Sequence, residues 1–99
     1  MFETRFTKGA LSDLAQLSAF HRVRIFDAIE AQLSTQPLMP TRKRKPLGPG
    51  DIPPWEHEPP VWELRVGQFR VFYDVDTDMQ HVYVRAVRLK GRKGTKEIL

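Results

Sequence analysis

Apolar and polar positions alternate along Val61–Asp76, VWELRVGQFRVFYDVD, on both sides of Gly67-Gln68. A two-residue connection with glycine first suits a tight type II′ turn, whose twist matches its flanking strands. That turn sets Val66 opposite Phe69, Leu64 opposite Val71 and Trp62 opposite Tyr73. Side chains alternate across a strand. One face therefore carries Trp62, Leu64, Val66, Phe69, Val71, Tyr73 and Val75, and is the core face. The other carries Val61, Glu63, Arg65, Arg70, Phe72, Asp74 and Asp76. A further strand is predicted at His81–Leu89, HVYVRAVRL, after a turn at Thr77–Gln80. Val75 then faces Val82, Tyr73 faces Val84, and Val71 faces Ala86. On the polar side Asp74 meets Tyr83, Phe72 meets Arg85, and Arg70 meets Val87.

Upstream, Phe2–Phe6 alternates as a first strand, and Thr7 is a helix N-cap. Ala10, Leu11, Leu14 and Leu17 recur at helical spacing over Lys8–Leu17. Ser18 caps a second helix over about Ala19–Ser34, with an apolar stripe of Phe20, Val23, Phe26, Ile29 or Glu30, and Leu33. Arg22, Arg24, Asp27 and Glu30 fall largely on its solvent side. The fold class is α+β: an N-terminal strand, an αα-hairpin, then a three-stranded or larger antiparallel sheet, in one domain over residues 1–99.

Gln36–Pro60 breaks both periodicities. All eight prolines lie in it, which excludes a helix or a central strand. Connections in compact domains have a median of about 4–6 residues, so this one is a stiff arm pinned by Trp55 or a recognition element. Its basic run, Arg42-Lys43-Arg44-Lys45, is either a solvated tether or a holder of phosphate backbone. The tail KGRKGTKEIL bunches Lys90, Arg92 and Lys93 after the last strand, and Ile98 and Leu99 are placed in a short edge strand.

Composition narrows the chemistry. With no cysteine, disulfides, thiolate metal sites and a cysteine nucleophile are excluded. No apolar run is long enough to span a membrane, and no signal peptide precedes the first strand, so the expected location is cytoplasmic. Net charge is +4 with a pI near 9.8. The N-terminal 36 residues are balanced, while Val61–Leu99 holds eight basic and five acidic residues. That surplus points to nucleic acid or to an acidic protein.

Arg65 lies opposite Arg70, and like charges across a ladder repel. Glu63 is one compensator; an external anion such as phosphate, gripped by both guanidinium groups, is the other. The predicted register adds Arg85 to the same wall, with Phe72 between the arginines and Tyr83 nearby. Cations with aromatic rings on one sheet face suit RNA, the cations for phosphate and the rings for bases. The alternative is a solvated face laced with salt bridges to Glu63, Asp74 and Asp76. General-base candidates are Glu63, Tyr83, His81 and Lys90. His21, His57 and His81 fall on separate elements without metal-ligand spacing, and no phosphate-binding, dinucleotide or hydrolase motif occurs, so no metal or cofactor is expected.

Lys45-Pro46-Leu47, Trp62-Glu-Leu-Arg65, Gly67-Gln-Phe-Arg70-Val-Phe-Tyr73-Asp and Val84-Arg-Ala-Val87 resemble the RelE/ParE superfamily of toxins from bacterial type II toxin–antitoxin modules. The order strand, helix, helix, sheet agrees across most of the chain. The resemblance implies a metal-independent endoribonuclease that cleaves mRNA on the ribosome, with a cognate antitoxin as protein partner. It implies catalytic roles for Arg65, Arg70 and Lys90, with Arg92 close by to contact RNA. The residue pattern itself adds Arg85 to the catalytic set and Lys43, Lys45, Phe72, Tyr83 and Lys93 to the RNA contacts. Glu63 stands where some relatives carry a basic residue, Arg88 where glycine is common, and no tyrosine follows the last strand. The missing tyrosine favours a second reading, a non-enzymatic toxin that binds DNA gyrase. A third is an inactive homologue that only receives an antitoxin.

Overall fold

The computed structural model describes residues 1–99. Its elements are β1 (Glu3–Phe6), α1 (Lys8–Ala15), α2 (Ala19–Leu33), β2 (Arg44–Pro46), β3 (Trp62–Val66), β4 (Phe69–Asp76), β5 (His81–Leu89) and α3 (Thr95–Ile98). The five strands form one sheet in the order β1-β5-β4-β3-β2. β1 runs parallel to β5, and the other pairs are antiparallel. The α+β architecture is the one expected from the sequence. The β3–β4 register follows from the turn, where Gly67 takes a positive φ of 58°.

Both helices start at the predicted caps. Thr7 Oγ1 accepts from the Ala10 amide at 3.2 Å, and Ser18 Oγ accepts from the His21 amide at 3.3 Å. The phase of α2 differs from expectation. Phe20, Val23 and Phe26 are exposed, and the helix buries Ile25, Ile29 and Leu33. Arg22, expected in solvent, donates to the Leu14 and Leu17 carbonyls at the end of α1. A cation on a helix C-terminus is favourable, and this contact turns the Ile25-Ile29-Leu33 row onto the sheet.

The predicted core face packs against these helices through Trp62, Leu64, Val66, Phe69, Val71 and Tyr73. The opposite face carries a core of its own, which the alternation did not announce. Val61, Phe72, Ala86 and Ile98 cluster there, covered by Leu47, Trp55 and Leu99. The proline-rich arm therefore lies across the sheet, with the Trp55 ring 5.4 Å from that of Phe72. The arm also supplies the edge strand β2, a position that tolerates Pro46. Ile98 and Leu99 close this second core from α3 and its end, instead of from an edge strand.

One irregularity decides where the charges go. Tyr73 pairs with Val84, but Phe72 pairs with Ala86, so Arg85 is the extra residue of a β-bulge. Beyond it Val71 faces Val87 and Arg70 faces Arg88. The expected pairs Val71–Ala86, Phe72–Arg85 and Arg70–Val87 are each displaced by that one residue.

Candidate functional site

The arm-facing side of the sheet opens at one end into a cavity of about 200 Å³ without an apolar lining residue. Arg65 and Arg70 form its floor, directly opposite each other on β3 and β4. Arg70 is buried, and its Nη1 donates to the Gly67 carbonyl at 3.0 Å and the Phe69 carbonyl at 2.8 Å. The hairpin turn thus holds this guanidinium in place. Burial lowers the Arg70 pKa, the charge of Arg65 lowers it further, and Glu63 acts against both. The influence of Arg65 exceeds that of Glu63, so Glu63 offsets its neighbour's charge only in part.

β2 brings in the lysines. Arg44 shares its row with Leu64, and its guanidinium turns toward α2. There it donates to the Met39 carbonyl at 2.7 Å, the Gln32 side chain at 3.1 Å and the Gln32 carbonyl. With Arg44 clamped behind the sheet, alternation sends Lys43 and Lys45 toward the cavity, which they line. Register places Lys45 opposite Glu63, and the Arg65 amide donates to the Lys43 carbonyl at 2.6 Å. Lys90 completes the ring of cations; its amide donates to the Gln68 carbonyl at 2.7 Å. Glu63 is the carboxylate in this wall. It is buried and accepts from the Thr95 hydroxyl at 2.8 Å, so the first residue of α3 fixes its orientation.

The cations of the cavity have no carboxylate partners. Only Arg5, Arg85 and Arg88 form ion pairs in the molecule, with Glu3, Asp74 and Asp13 respectively. Arg88, across the ladder from Arg70, is thereby neutralised, and its guanidinium sits 5.1 Å from the Trp55 ring centre. Uncompensated guanidinium and ammonium groups around a small polar hollow form an anion site, and guanidinium is suited to bidentate capture of phosphate.

Of the residues singled out in the sequence, Arg65, Arg70, Lys90, Lys43 and Lys45 meet in this cavity, with Arg42 and Arg44 also in its lining. Arg85 does not. The bulge directs it to Asp74, with Nε–Oδ2 at 2.8 Å and Nη2–Oδ1 at 3.1 Å, and that bond raises its pKa. Phe72 has no exposed surface and sits under Trp55, so it is a core residue and not a platform for bases. Tyr83 stays near the Thr77–Gln80 turn with Arg85 over its ring at 5.0 Å, and its hydroxyl lies 3.3 Å from His81 Nδ1. Arg92 and Lys93 are exposed in the segment before α3, outside the cavity wall. Thr95 was missed; a lone threonine in a glycine-spaced basic tail carries no signal in the sequence. The three histidines remain apart, and no group of three or more metal-type side chains forms. No helix is long and apolar enough to cross a membrane.

The family model for the ParE toxin of type II toxin–antitoxin systems, parDE, matches residues 4–93. The chain belongs to this toxin family. Solved relatives share the toxin's fold. The archaeal RelE–RelB complex from Pyrococcus horikoshii is 20% identical, covering 92% of this chain and 97% of that one, with a TM-score of 0.68. The RelBE2 toxin–antitoxin complex of Mycobacterium tuberculosis is 26% identical over 87% and 94%, at 0.66. The isolated E. coli RelE toxin is 16% identical over 96% and 89%, at 0.66. No curated protein matches the toxin.

Proposed function

We propose that this toxin is a metal-independent mRNA endoribonuclease that acts with the ribosome in the cytoplasm and stops translation. The observation that carries the reading is the cavity itself: opposed, unpaired Arg65 and Arg70, ringed by lysines, with one buried carboxylate in the wall. In strand cleavage the RNA 2′-oxygen attacks the adjacent phosphorus, its proton passes to a base, and the bond to the 5′-oxygen breaks as that oxygen is protonated. Arg65 and Arg70 face the charge that builds on the phosphoryl oxygens. Glu63, held by Thr95, takes the 2′ proton, and Lys90 delivers the other. The cognate antitoxin is the expected protein partner, as the RelBE2 relative is itself a toxin–antitoxin complex.

The test is inducible expression with mapping of mRNA 5′ ends. New ends should appear inside coding sequences. Arg70→Ala should lower cleavage about 10²–10³-fold, the usual loss for one preorganised donor. Arg65→Ala, at an exposed position, should act in the same direction with an unchanged melting curve. A fully toxic Arg70→Ala would remove the cavity from the mechanism. The second reading, gyrase binding without cleavage, draws on the ParE family match and on the absence of a tyrosine after β5. Intact mRNA together with blocked gyrase supercoiling in vitro would establish it in place of the first.

A further inference from the structure

The cavity does not end at Arg65. Lys43 and Arg65 also line a second groove, of about 450 Å³, between α2 and the end of β3 at the hairpin turn. Its far wall is α2, which contributes Arg24, Asp27 and Gln32. Arg24 is held there without a carboxylate. Its guanidinium lies against the hairpin turn, where a Cβ on Gly67 would stand 3.4 Å from Nη2. Its Cζ is 5.8 Å from the ring centre of Phe20, which is 67% exposed. Asp27 is the one carboxylate in the groove and pairs with none of its cations.

We propose that this groove is a second RNA subsite: a single strand held in the cavity runs past Lys43 and Arg65, places a neighbouring phosphate on Arg24, and stacks a base on Phe20. This rests on the RNA reading given above and extends it. The argument is continuity and composition. The two hollows share Lys43 and Arg65, so one polyanion can bridge them across a common pair of cations. An aromatic ring with a cation beside it is the combination that holds single strands irrespective of sequence. Phe20 is on the wrong side of α2 to serve the core, as the packing of Ile25, Ile29 and Leu33 makes plain.

Binding of fluorescent 2′-O-methyl oligonucleotides, which lack the attacking hydroxyl, tests it by anisotropy. Purified toxin should bind a hexanucleotide more tightly than a dinucleotide. Arg24→Gln should weaken the hexanucleotide, leave the dinucleotide unchanged, and reduce the logarithmic salt slope by about 0.7, the value for one contact to a single strand. Phe20→Ala should cost about fivefold or more on the hexanucleotide, the lower end of base–aromatic stacking. Both positions are exposed, and matching melting curves confirm intact folds. Wild-type binding and salt slope in both variants, while Arg65→Ala weakens both oligonucleotides, would overturn the subsite and spare the cavity. If Arg65→Ala also bound both like wild type, the cavity reading and the subsite would fall together.

Discussion

The two ends of one sheet face use the same residue types to opposite effect. Arg70 and Asp74 lie four residues apart on β4, about 13 Å at the rise of a strand. At the Asp74 end an arginine meets a carboxylate in two hydrogen bonds, with Tyr83 stacked against the guanidinium and the Glu58 amide donating to the same Asp74 oxygen at 3.2 Å. At the Arg70 end two arginines face each other, their charge only partly met by Glu63. One end is electrostatically closed and structural; the other is open to an anion. An arginine with an aromatic neighbour is therefore no sign of a nucleic-acid site until its carboxylate partner has been accounted for.

The sharpest way to break this contrast is Arg85→Ala. Asp74 is almost wholly buried, and removing its partner strands a charge. Loss of one member of such a pair costs about 3–5 kcal/mol. Denaturant unfolding should register that loss. Cleavage per folded molecule should be unchanged, in contrast with Arg70→Ala. A stable but inactive Arg85→Ala protein would mean that the closed end belongs to the site after all.

Much of this was legible in the chain alone, and two of the places where it was not have an identifiable cause. Gly67-Gln68 announces its turn because a positive φ suits glycine, and from that turn the β3–β4 pairing follows residue by residue. The pairing of β4 with β5 is also right as far as Tyr73–Val84. Past Arg85 it slips, since a bulge adds one residue without changing the alternation on either side of it. Moving Arg85 to Asp74 and bringing Arg88 beside Arg70 are two results of that single insertion. The second failure is α2. Helical spacing puts Phe20, Val23 and Phe26 on one stripe with Ile29 and Leu33, but the row that is buried runs Ile25, Ile29 and Leu33. Rotation of the helix is set by Arg22 reaching back to α1, a tertiary contact that no periodicity contains.

The open end is held from behind, and a second substitution tests that support. Tyr73, on the core side of β4, donates its hydroxyl to the Pro37 carbonyl at 2.6 Å, at the start of the arm that carries Lys43 and Lys45. Pro37 is fully buried, so Tyr73→Phe leaves an acceptor unsatisfied, at about 1–3 kcal/mol. Burial raises the Tyr73 pKa well above the ordinary phenol value, against a smaller lowering by Arg44. The sign follows. Below about pH 10 the phenol is protonated in folded and unfolded chains alike, and its contribution is fully present. Above that, the unfolded chain ionises while the folded one resists, so stability falls as pH rises toward the raised value. The difference in stability between wild type and Tyr73→Phe should therefore shrink in alkali. A constant difference between pH 8 and 11 would show that the phenol is not held protonated by the fold.

The smallest expected effect concerns the roof of the open end. Thr95 begins a helix of four residues, too short to stand on its own hydrogen bonds. Three contacts dock it: Ile98 in the outer core, the Thr95 hydroxyl on Glu63, and Arg88 Nε donating to the Ile98 carbonyl at 3.1 Å. Thr95→Val keeps the shape and removes the second, which should cost about 0.5–1.5 kcal/mol, the net worth of a typical hydrogen bond. Most of that loss should be local. Amide exchange at Glu97, whose N–H bonds the Gly94 carbonyl at 3.1 Å, should quicken. Exchange at Arg85 and its neighbours on the closed end should not. The same variant frees the Glu63 carboxylate to turn toward Arg65 and Arg70. Neutralising that pair from within should weaken dinucleotide binding, whereas a merely loosened helix would leave binding as it was. Faster exchange with unaltered binding would mean that Thr95 fastens the helix but does not govern the charge balance of the cavity.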